Sequence, residues 1–456
     1  MGFKFLHIAD VHLGCRRYNL EERTRDFFWA WRDVIVNHAI PNDVDFVLIA
    51  GDFFDTRKVS PQAMNHAMAG LELLKDAHVP VVVIEGNHDQ REVVTEFSWL
   101  RSLSQWGYLK LLEPTRDEEG HMAFAAWDEE KREGSFVDIA GARIFGSHWY
   151  GASTNNAVPM LSEALRRARD EGMFNILLLH TDVEGQINRP IPALTIDKLK
   201  ELKQLTDYVA LGHTHKRFEV DGWAFNPGSL EACKIDEYKE ERGAYLVEVD
   251  DERHIRAEHI RDYVQRPFQR LSYDVSGALD PDAVYEGVMQ MVEREARKHN
   301  ADSKRPAPII EISLRGHLGF KSSLLPLNRL RDEAQKLTGA LHIMMRNQSV
   351  PVEYAVAAGM DAQAPRHERE RRIIEDLIAR DNRYKDRARE MAELVIEAKR
   401  QALSNEPPDK ILELIAQKLE NATDKSETEA QTNPDLEPAA TATALNAIER
   451  NATVQG

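Results

Sequence analysis

Cysteine is almost absent from this sequence, since only Cys15 and Cys233 occur in 456 residues. Two cysteines exclude a disulfide framework and any thiolate-rich zinc or iron–sulfur site. Long apolar runs are missing as well, because none approaches the roughly 20 residues that a membrane-spanning helix needs. The first residues also lack the basic, apolar and cleavage segments of a signal peptide. We therefore expect a cytoplasmic protein with no membrane partner.

Positive charge is scarce relative to negative charge. The chain carries 59 Lys and Arg against 76 Asp and Glu, a net charge of -17. This balance argues against a protein that coats nucleic acid by bulk electrostatics, so any polyanion site must be local. A hydrophobic fraction of 42% and a charged fraction of 30% are typical of a folded soluble protein. The length predicts two or three domains with appendages.

Short β-branched apolar runs alternate with amphipathic helical stretches up to about residue 265. Such runs are typical of buried strands in an α/β domain, and they cover 3–9, 44–50, 79–85, 176–179 and 208–211. Two later runs, 223–225 and 244–249, lie close together in sequence and predict an antiparallel hairpin, which would make a sheet mixed. We expect a layered α/β fold over residues 1–265, with mixed sheets flanked by helices.

The pattern changes near Arg266, where a strand, helix, strand, helix, strand order begins: 268–275, 281–299, 309–314, 324–337 and 341–346. This order predicts a smaller α/β domain over residues 266–349. Residues 350–422 hold charged amphipathic helices, interrupted by the Asn-Glu-Pro-Pro segment at 405–408. Their apolar faces either pack on the second domain or dock on a partner protein. Residues 423–456 lack periodicity and predict a disordered acidic tail.

Polar residues follow five of the predicted strands where each strand ends. In chain order they form the motifs Asp10-Val-His12, Gly51-Asp52-Phe-Phe-Asp55, Gly86-Asn87-His88-Asp89, His180 and Gly212-His213-Thr-His215. Because ligands of α/β sheets collect at the carboxyl ends of strands, we expect these loops to converge on one rim. Imidazole with carboxylate suits manganese, iron or zinc, whereas calcium would want oxygen alone. One such residue would usually be a cap or a turn former, but five ordered motifs predict a site for two metal ions.

The spacing within the motifs adds detail. In Asp10-x-His12 and His213-x-His215, an extended segment would point both side chains to one side. Asp52 follows a glycine that lets the backbone come close, and a bridging carboxylate is what a site for two ions needs. Other histidines lack a partnered motif, and we interpret them as ordinary structural residues: His7, His38, His66, His78 and His148.

These motifs resemble those of the calcineurin-type metallophosphoesterases. The closer resemblance is to the nuclease subunit of the DNA double-strand-break repair complex, called SbcD in bacteria, and to its archaeal counterparts. It is supported by His12-Leu-Gly14, Tyr18, Glu21-Glu22-Arg23, Asp26, Ala210-Leu-Gly-His213, Asp221-Gly-Trp223 and Asn226-Pro-Gly-Ser-Leu-Glu231. The resemblance covers residues 3 to about 249 with specific motifs. It extends over 266–350 only by element order and over 360–422 only by helical character.

The resemblance implies two divalent ions per chain, with Mn²⁺ as the working ion. One ion would be held by Asp10, His12, Asp52 and His215, and the other by Asp52, Asn87, His180 and His213. Archaeal and eukaryotic members tend to have histidine where this chain has Asp55, whereas bacterial members have aspartate. We therefore interpret Asp55 only as a residue that orients a ligand.

His88 directly follows Asn87, which leaves it close to the ions without being counted as a ligand. We interpret His88 as the catalytic acid or transition-state stabiliser, because the leaving sugar oxygen of a phosphodiester needs a proton or a hydrogen-bond donor. Asp89 would fix the orientation of His88. The alternative for His88 is a hydrogen bond to a ligand with no direct part in catalysis.

Basic residues follow the motifs loop by loop: Arg16-Arg17, Arg23, Arg57-Lys58, Arg91, Arg189 and Lys216-Arg217. If the loops share one rim, these residues form a basic collar that suits a long polyanion such as DNA. The alternative is that surface loops simply contain arginine. With the resemblance, the collar predicts a manganese-dependent DNA nuclease, an exonuclease with endonuclease activity, in double-strand-break repair.

The resemblance also implies partners. Residues 350–422 would bind an SbcC-type coiled-coil ATPase, residues 266–349 would cap the DNA, and the chain would form a homodimer at the nucleoid. The chain has no Gly-rich phosphate loop with its lysine, so any ATP dependence would come from the partner. Two alternatives stay open. One is a phosphoesterase acting on a small phosphate ester or nucleotide, and the other is a scaffold that recruits repair partners.

Overall fold

The computed structural model describes residues 2–91, 97–186, 192–299, 306–350, 365–379, 381, 383–404 and 406–417. Its strands in chain order are β1 (Phe3–Ile8), β2 (Phe46–Ile49), β3 (Val81–Val83), β4 (Lys110–Leu111), β5 (Thr115–Arg116), β6 (Met122–Ala123), β7 (Phe136–Ile139), β8 (Ala142–Gly146), β9 (Phe174–His180), β10 (Tyr208–Gly212), β11 (Arg217–Val220), β12 (Ala224–Pro227), β13 (Ala244–Val249), β14 (Ile255–Ile260), β15 (Phe268–Asp274), β16 (Ile309–His317) and β17 (His342–Val350). The α-helices are α1 (Glu21–Val34), α2 (Pro61–Asp76), α3 (Trp99–Gln105), α4 (Thr154–Ala168), α5 (Ile196–Glu201), α6 (Pro281–His299), α7 (Leu327–Thr338), α8 (Arg366–Ile378) and α9 (Ala388–Leu403).

Two six-stranded sheets carry the first part of the chain. The first sheet has the strand order β14-β13-β1-β2-β3-β4, and the second has the order β11-β12-β10-β9-β8-β7. In the first sheet β1 to β4 run parallel, while β13 is antiparallel to β1 and β14. In the second sheet β8, β9, β10 and β12 are parallel, and β7 and β11 are antiparallel edge strands. The mixed sheets predicted from the sequence are confirmed.

The apolar residues of these sheets form three layers of core. One cluster, which includes Phe5, Phe46, Ile176 and Tyr208, joins strands of both sheets and so lies between them. A second cluster joins the first sheet to α1, α2 and α3 through Trp31, Leu71 and Leu100. A third joins the second sheet to α4 and α5 through Leu165 and Leu199. The order of layers is helix, sheet, sheet, helix, which buries both faces of each sheet.

The hairpin predicted from 223–225 and 244–249 is wrong. The strand β12 pairs with β10 and β11 in the second sheet, whereas β13 pairs with β1 and β14 in the first sheet. The segment between them therefore crosses from one sheet to the other. The close hairpin is instead β11 with β12, where Asp221 and Gly222 adopt φ of 49° and 66° and supply a tight turn.

The strands β15, β16 and β17 form a separate three-stranded sheet with β16 in the centre. Along the chain, α6 follows β15 and α7 follows β16, which is the order predicted for residues 266–349. By density of contacts the chain divides into two compact units. One unit comprises residues 1–273, 286–314 and 327–347, and the other comprises 274–285, 315–326 and 348–456.

Within the second unit, α8 and α9 pack against each other, and Lys399 on α9 forms an ion pair with Glu370 on α8. Residues 408–417 are also helical, after the break predicted at the Asn-Glu-Pro-Pro segment. The tail predicted over 423–456 lies outside the described residues. Across the described ranges, every helix is too short or too polar to cross a lipid bilayer.

Candidate metal centre

The structure brings the seven predicted ligands to one edge of the two sheets. They lie at or just beyond the carboxyl ends of β1, β2 and β3 in the first sheet and of β9 and β10 in the second: Asp10, His12, Asp52, Asn87, His180, His213 and His215. Because parallel strands end at the same edge of a sheet, five loops separated in sequence meet there.

The ligand atoms form two groups that share Asp52. The first group is Asp10, His12, Asp52 and His215, and the second contains Asp52, His180 and His213; within each group the ligand atoms lie within 4.8 Å of one another. The Nε2 atoms of His12 and His215 are 2.9 Å apart. The Nε2 atom of His180 lies 3.3 Å from Asp52 Oδ2 and 3.2 Å from the Oδ1 atom of Asn87. This is the grouping that the resemblance implied.

In each of the four histidines, one ring nitrogen faces the other atoms of its ligand group. The second ring nitrogen contacts an oxygen atom outside the group. The outward contacts are His12 Nδ1 to Asp55 Oδ1 at 3.4 Å, His215 Nδ1 to Glu237 Oε1 at 3.3 Å, His213 Nε2 to Asp182 Oδ2 at 3.5 Å, and His180 Nδ1 to the Ala50 carbonyl at 2.8 Å. An acceptor on the outer nitrogen keeps the proton there and leaves the inner nitrogen free to bind a cation. The side chains therefore fit a pair of metal ions.

Sequence reasoning found one of these orienting carboxylates and missed two. Asp55 contacts His12, in agreement with the orienting role predicted for it. Asp182 was missed, although its position two residues after His180 was a usable signal. Glu237 was also missed, and it lies 22 residues beyond His215 in the segment that crosses between the sheets. Nothing in the local sequence marks Glu237 as a partner of that histidine.

The backbone at the ligands is not extended, so that expectation is wrong. Asp10, His12, Asp52, His213 and His215 adopt φ of 51°, 48°, 52°, 88° and 58°, all in the left-handed region. The bent loops are held by hydrogen bonds between neighbouring loops, including the Asp10 N–H to the Gly51 carbonyl at 3.1 Å and the His12 N–H to the Asp52 carbonyl at 3.0 Å. Such conformations cost on the order of 1 kcal/mol or more each, and they are typical of functional sites.

Two glycines make room for these side chains, as predicted for the residue before Asp52. A Cβ atom on Gly86 would lie 2.1 Å from Asp52 Oδ1, and one on Gly51 would lie 2.4 Å from His180 Nδ1. Gly51 also has a φ of 87°, which disfavours other residues. A larger residue at position 86 would therefore displace the side chain of Asp52, and one at position 51 would displace that of His180.

Charge at this edge favours a bound cation. Burial alone would raise the pKa of Asp52, but the charge and hydrogen bond of His180 and the charge of His12 hold that pKa well below its usual range. Burial likewise opposes protonation of His12, yet the contact with Asp55 and the charges of Asp52 and Asp10 raise the pKa of His12 to about 10. The carboxylates therefore attract positive charge strongly, and a divalent ion that bound here would displace protons from the histidines.

Asp89 does not orient His88, so that prediction is wrong. The carboxylate of Asp89 accepts hydrogen bonds from the backbone N–H groups of Phe53, Phe54 and Gly86 at 2.9, 2.7 and 3.3 Å. Its buried oxygens are thus used to join the loop after β2 to the loop after β3. Burial and the charge of Asp52 raise the pKa of Asp89 to about 7, despite these hydrogen bonds.

His88 is instead oriented by the backbone. Its Nδ1 atom lies 2.6 Å from the Asp55 carbonyl, and its own backbone N–H donates to Asp52 Oδ1 at 2.8 Å. A carbonyl oxygen only accepts, so Nδ1 carries a proton and Nε2 is the nitrogen left to exchange a proton with a substrate. The ring meets that of His12 edge to face, with centroids 4.9 Å apart.

The predicted basic collar is only partly present. Arg23 is fully buried and forms ion pairs with Asp26 at 2.5 Å and Glu231 at 3.6 Å, so its place in the collar is wrong. A buried arginine needs such partners, and Asp26 one helical turn later was the available signal. Lys216 lies 3.7 Å from Glu240. Arg189 lies outside the described residues.

Three other members of the collar lie beside the candidate site. Arg16, Arg17 and Arg57 are exposed and line a cavity of about 530 Å³ together with Asn87 and His88. The cavity thus places Asn87 and His88 beside three guanidinium groups. Lys58 and Arg91 are also exposed. This arrangement suits a negatively charged substrate whose phosphates extend beyond the edge of the sheets where the seven predicted ligands meet, which we call the metal edge.

Comparison with known proteins gives a consistent result. The sequence profile of the calcineurin-like phosphoesterases matches residues 3–217. Similar curated proteins are each named DNA double-strand break repair protein Mre11. The protein from Sulfolobus acidocaldarius is 26% identical over 72% of this chain and 80% of its own length, and the one from Aeropyrum pernix is 26% identical over 78% and 81%. The protein from Archaeoglobus fulgidus is 32% identical over 52% of this chain and 54% of its own length.

The matched region contains every residue of the two groups, from Asp10 to His215. The phosphoesterases of this family use a pair of divalent ions, and the shared Asp52 joins the two groups as such a pair requires. The family resemblance and the fold predicted from the sequence are therefore both confirmed. Residues 3–217 form a calcineurin-like phosphoesterase domain, and the protein is a metal-dependent phosphoesterase.

Proposed function

We propose that this protein is a manganese-dependent DNA nuclease, an exonuclease with endonuclease activity, that acts in the repair of double-strand breaks. The observation that carries the proposal is the pair of ligand groups joined at Asp52, beside a cavity lined by arginines. The similar proteins named for double-strand break repair support the same substrate class.

The proposed ligands are the seven residues at the shared edge: Asp10, His12, Asp52, Asn87, His180, His213 and His215. Three carboxylate or amide side chains and four imidazoles form a donor set of intermediate softness, which suits Mn²⁺ and related ions. When bound, two such ions activate a water molecule and neutralise charge that develops on the phosphoryl oxygens. The negative charge of Asp52 would offset the repulsion between two bound cations.

We assign the proton transfer to His88. Its Nδ1–H is fixed on the Asp55 carbonyl, so Nε2 is the nitrogen available to a substrate. A protonated Nε2 would donate to the leaving sugar oxygen, which is otherwise a poor leaving group. Its position beside Asn87 and Asp52 keeps the ring at the metal edge without using it as a ligand.

The arginine-lined cavity supports a polymeric substrate. Arg16 and Arg17 come from the loop after β1 and Arg57 from the loop after β2, while Asn87 and His88 line the same space. A single phosphate held by two metal ions needs no further cations. Several guanidinium groups beside that position would instead hold the neighbouring phosphates of a strand.

We propose that residues 1–265 form the nuclease domain and that residues 266–349 cap the DNA. Two contacts within the first compact unit support this assignment. The ring of Tyr18, from the loop after β1, stacks on that of His342 at 5.7 Å. The guanidinium group of Arg266 binds both carboxylate oxygens of Asp26 at 2.6 and 2.7 Å. A wall of the capping domain beside Tyr18 would limit which DNA ends reach His88.

We further propose that residues 350–422 bind an SbcC-type ATPase, that the protein works as a homodimer, and that it acts on DNA at the nucleoid in the cytoplasm. The apolar side chains Ile373, Leu377 and Val395 on α8 and α9 are about half exposed, at 52%, 56% and 45%. Exposed apolar side chains on paired helices are suited to a helical partner.

The test is incubation of the purified chain with end-labelled linear duplex DNA and Mn²⁺, with and without the ATPase. We expect shortened products that require Mn²⁺ and disappear in the Asp52→Asn variant. The Asp76→Asn variant, changed on the exposed end of α2, is the matched control and should cut as the parent does. Failure to cut DNA, combined with rapid hydrolysis of a small aryl phosphodiester, would overturn the proposal in favour of a small substrate.

A further inference from the structure

The two cysteines of the chain meet beside the first ligand group. Cys15 belongs to the loop after β1, and Cys233 belongs to the segment that crosses between the sheets. Both are buried, unpaired thiols that form a small cluster with Phe27. Residues 218 positions apart in sequence therefore bring two sulfur atoms to the metal edge.

The sulfur of Cys233 is close to two proposed ligands. Its Sγ atom and one nitrogen from each of His12 and His215 all lie within 4.8 Å of one another. The surrounding hydrogen bonds fix this arrangement. The Cys233 N–H donates to Glu237 Oε2 at 2.8 Å, and the other oxygen of Glu237 contacts His215 Nδ1 at 3.3 Å. The Cys15 N–H donates to the His12 carbonyl at 3.1 Å.

We propose that His12, His215 and Cys233 form an alternative site for a soft divalent ion, Zn²⁺ above all, which competes with the ion of the first group. The inference rests on the ligand role proposed for His12 and His215, and it adds a sulfur ligand to them. Two imidazoles and a thiolate are a preferred zinc donor set, and a water molecule can complete a tetrahedron.

Binding of Zn²⁺ replaces the proton of the Cys233 thiol, which passes to solvent, and a zinc–sulfur bond forms with no change in oxidation state. The thiol of Cys15, which lies in the same cluster, could then donate a hydrogen bond to the Cys233 thiolate. His12 and His215 cannot serve both positions at once, so zinc bound to sulfur removes two ligands from the first group.

The softness of the ligand atoms determines which of the two ions each set of ligands prefers. Carboxylates such as Asp10 and Asp52 favour Mn²⁺, whereas a thiolate favours Zn²⁺, and zinc also binds nitrogen ligands more tightly than manganese does. A thiol next to His12 and His215 therefore increases the affinity for Zn²⁺ relative to that for Mn²⁺. The chain would be inhibited by zinc at concentrations at which a site made only of nitrogen and oxygen ligands is not.

The first experiment is titration of the metal-free full chain with Co²⁺, a spectroscopic substitute for Zn²⁺. We expect the near-ultraviolet thiolate-to-cobalt absorption band in the parent chain and in Cys15→Ser, and its loss in Cys233→Ser. Cys15→Ser is the matched control because it removes the neighbouring thiol but not the proposed ligand. No such band in the parent chain, or equal bands in all three proteins, would overturn the proposal.

A second measurement does not depend on a variant that must fold. X-ray absorption of the parent chain loaded with one equivalent of Zn²⁺ should show a sulfur neighbour at about 2.3 Å. Neighbours at about 2.0–2.2 Å only, as nitrogen and oxygen give, would mean that the cysteines merely pack in the core. Both readouts need no nuclease activity, so they succeed or fail independently of the proposed DNA substrate.

Inhibition gives the functional consequence. Phosphodiester hydrolysis with Mn²⁺ is measured at rising Zn²⁺, and each protein is scaled to its own activity without zinc. The zinc concentration that halves the rate should be about tenfold or more higher in Cys233→Ser than in the parent, as expected for loss of a group that tunes a metal site. Equal zinc sensitivity in the two proteins would contradict competition at this site.

Discussion

The backbone N–H of His213 donates to both carboxylate oxygens of Asp10, at 3.0 Å each. Asp10 follows β1 in the first sheet, and His213 follows β10 in the second. This contact joins the two sheets at the edge where the proposed ligands meet. The carboxylate of Asp10 therefore both carries charge for a metal ion and fixes the loop that holds His213 and His215.

Replacing Asp10 should weaken metal binding without unfolding the protein. Asp10→Asn removes a negative charge from the first group and leaves one acceptor oxygen for the His213 N–H. We expect the affinity for Mn²⁺ to fall at least about tenfold, measured by isothermal titration calorimetry. Asp76→Asn, on the exposed end of α2, should bind as the parent does. Unchanged affinity in Asp10→Asn would exclude Asp10 as a ligand.

Replacing His88 should separate catalysis from binding. His88→Asn removes the ring held on the Asp55 carbonyl but none of the seven proposed ligands. We expect full occupancy by both ions in elemental analysis and a rate of phosphodiester hydrolysis about 100 to 10,000 times lower. The exposed His121→Asn variant serves as the control. Loss of metal from His88→Asn would instead give His88 a structural role.

Removal of the Asp89 carboxylate should destabilise the first unit. Asp89→Ala leaves the N–H groups of Phe53, Phe54 and Gly86 without their acceptor in a buried place. Each buried, unpaired N–H costs about 1–3 kcal/mol, so we expect a loss of at least about 3 kcal/mol in urea unfolding. All seven Trp residues lie within positions 29–223, so their fluorescence follows this part of the chain. A change below about 0.5 kcal/mol, the size expected for Asp76→Ala, would show that water replaces the carboxylate.

Acid should destabilise the protein through His7. Its Nε2–H donates to the Leu211 carbonyl at 3.2 Å, its Nδ1 accepts from the Tyr208 hydroxyl at 2.9 Å, and burial lowers the pKa of His7 to about 3. The unfolded chain binds a proton at this residue below about pH 6.5 and the folded chain does not. The stability contributed by neutral His7 is therefore present above pH 6.5 and is lost as the pH falls toward 3.

The measurement is urea unfolding of the parent and of His7→Phe between pH 6.5 and 5, followed by tryptophan fluorescence. The stability of the parent relative to the variant should fall with decreasing pH, at a slope that approaches about 1.4 kcal/mol for each pH unit well below pH 6.5. A difference between the parent and His7→Phe that is constant with pH would mean that His7 is protonated in the folded protein.

Much of the metal edge could be predicted because each motif is local. A β-branched run followed by Asp10, Asp52 or His180 predicts a strand with a ligand at its end, and parallel pairing then brings those ends together. The fold class followed from the same alternation of runs and amphipathic helices. These inferences needed no knowledge of which sheet each strand joins.

Features that depend on distant partners could not be predicted. Glu237 contacts His215, and Arg23 is buried against Glu231, only because the segment after β12 crosses between the sheets. That crossing was hidden by the short spacing of 223–225 and 244–249, which favoured a hairpin. The left-handed backbone at His12 and His215 was equally hidden, because hydrogen bonds between loops hold it in place and no glycine marks either position.

The proposed ligands are synthesised in two groups, one before residue 90 and one after residue 179. Asp10, His12, Asp52 and Asn87 belong to the first sheet, while His180, His213 and His215 arrive only with the second. A nascent chain that has left the ribosome as far as residue 89 has no complete set for either ion. If these residues hold the ions, hydrolysis cannot begin before residue 215 has folded into place, so nascent chains shorter than this would be inactive.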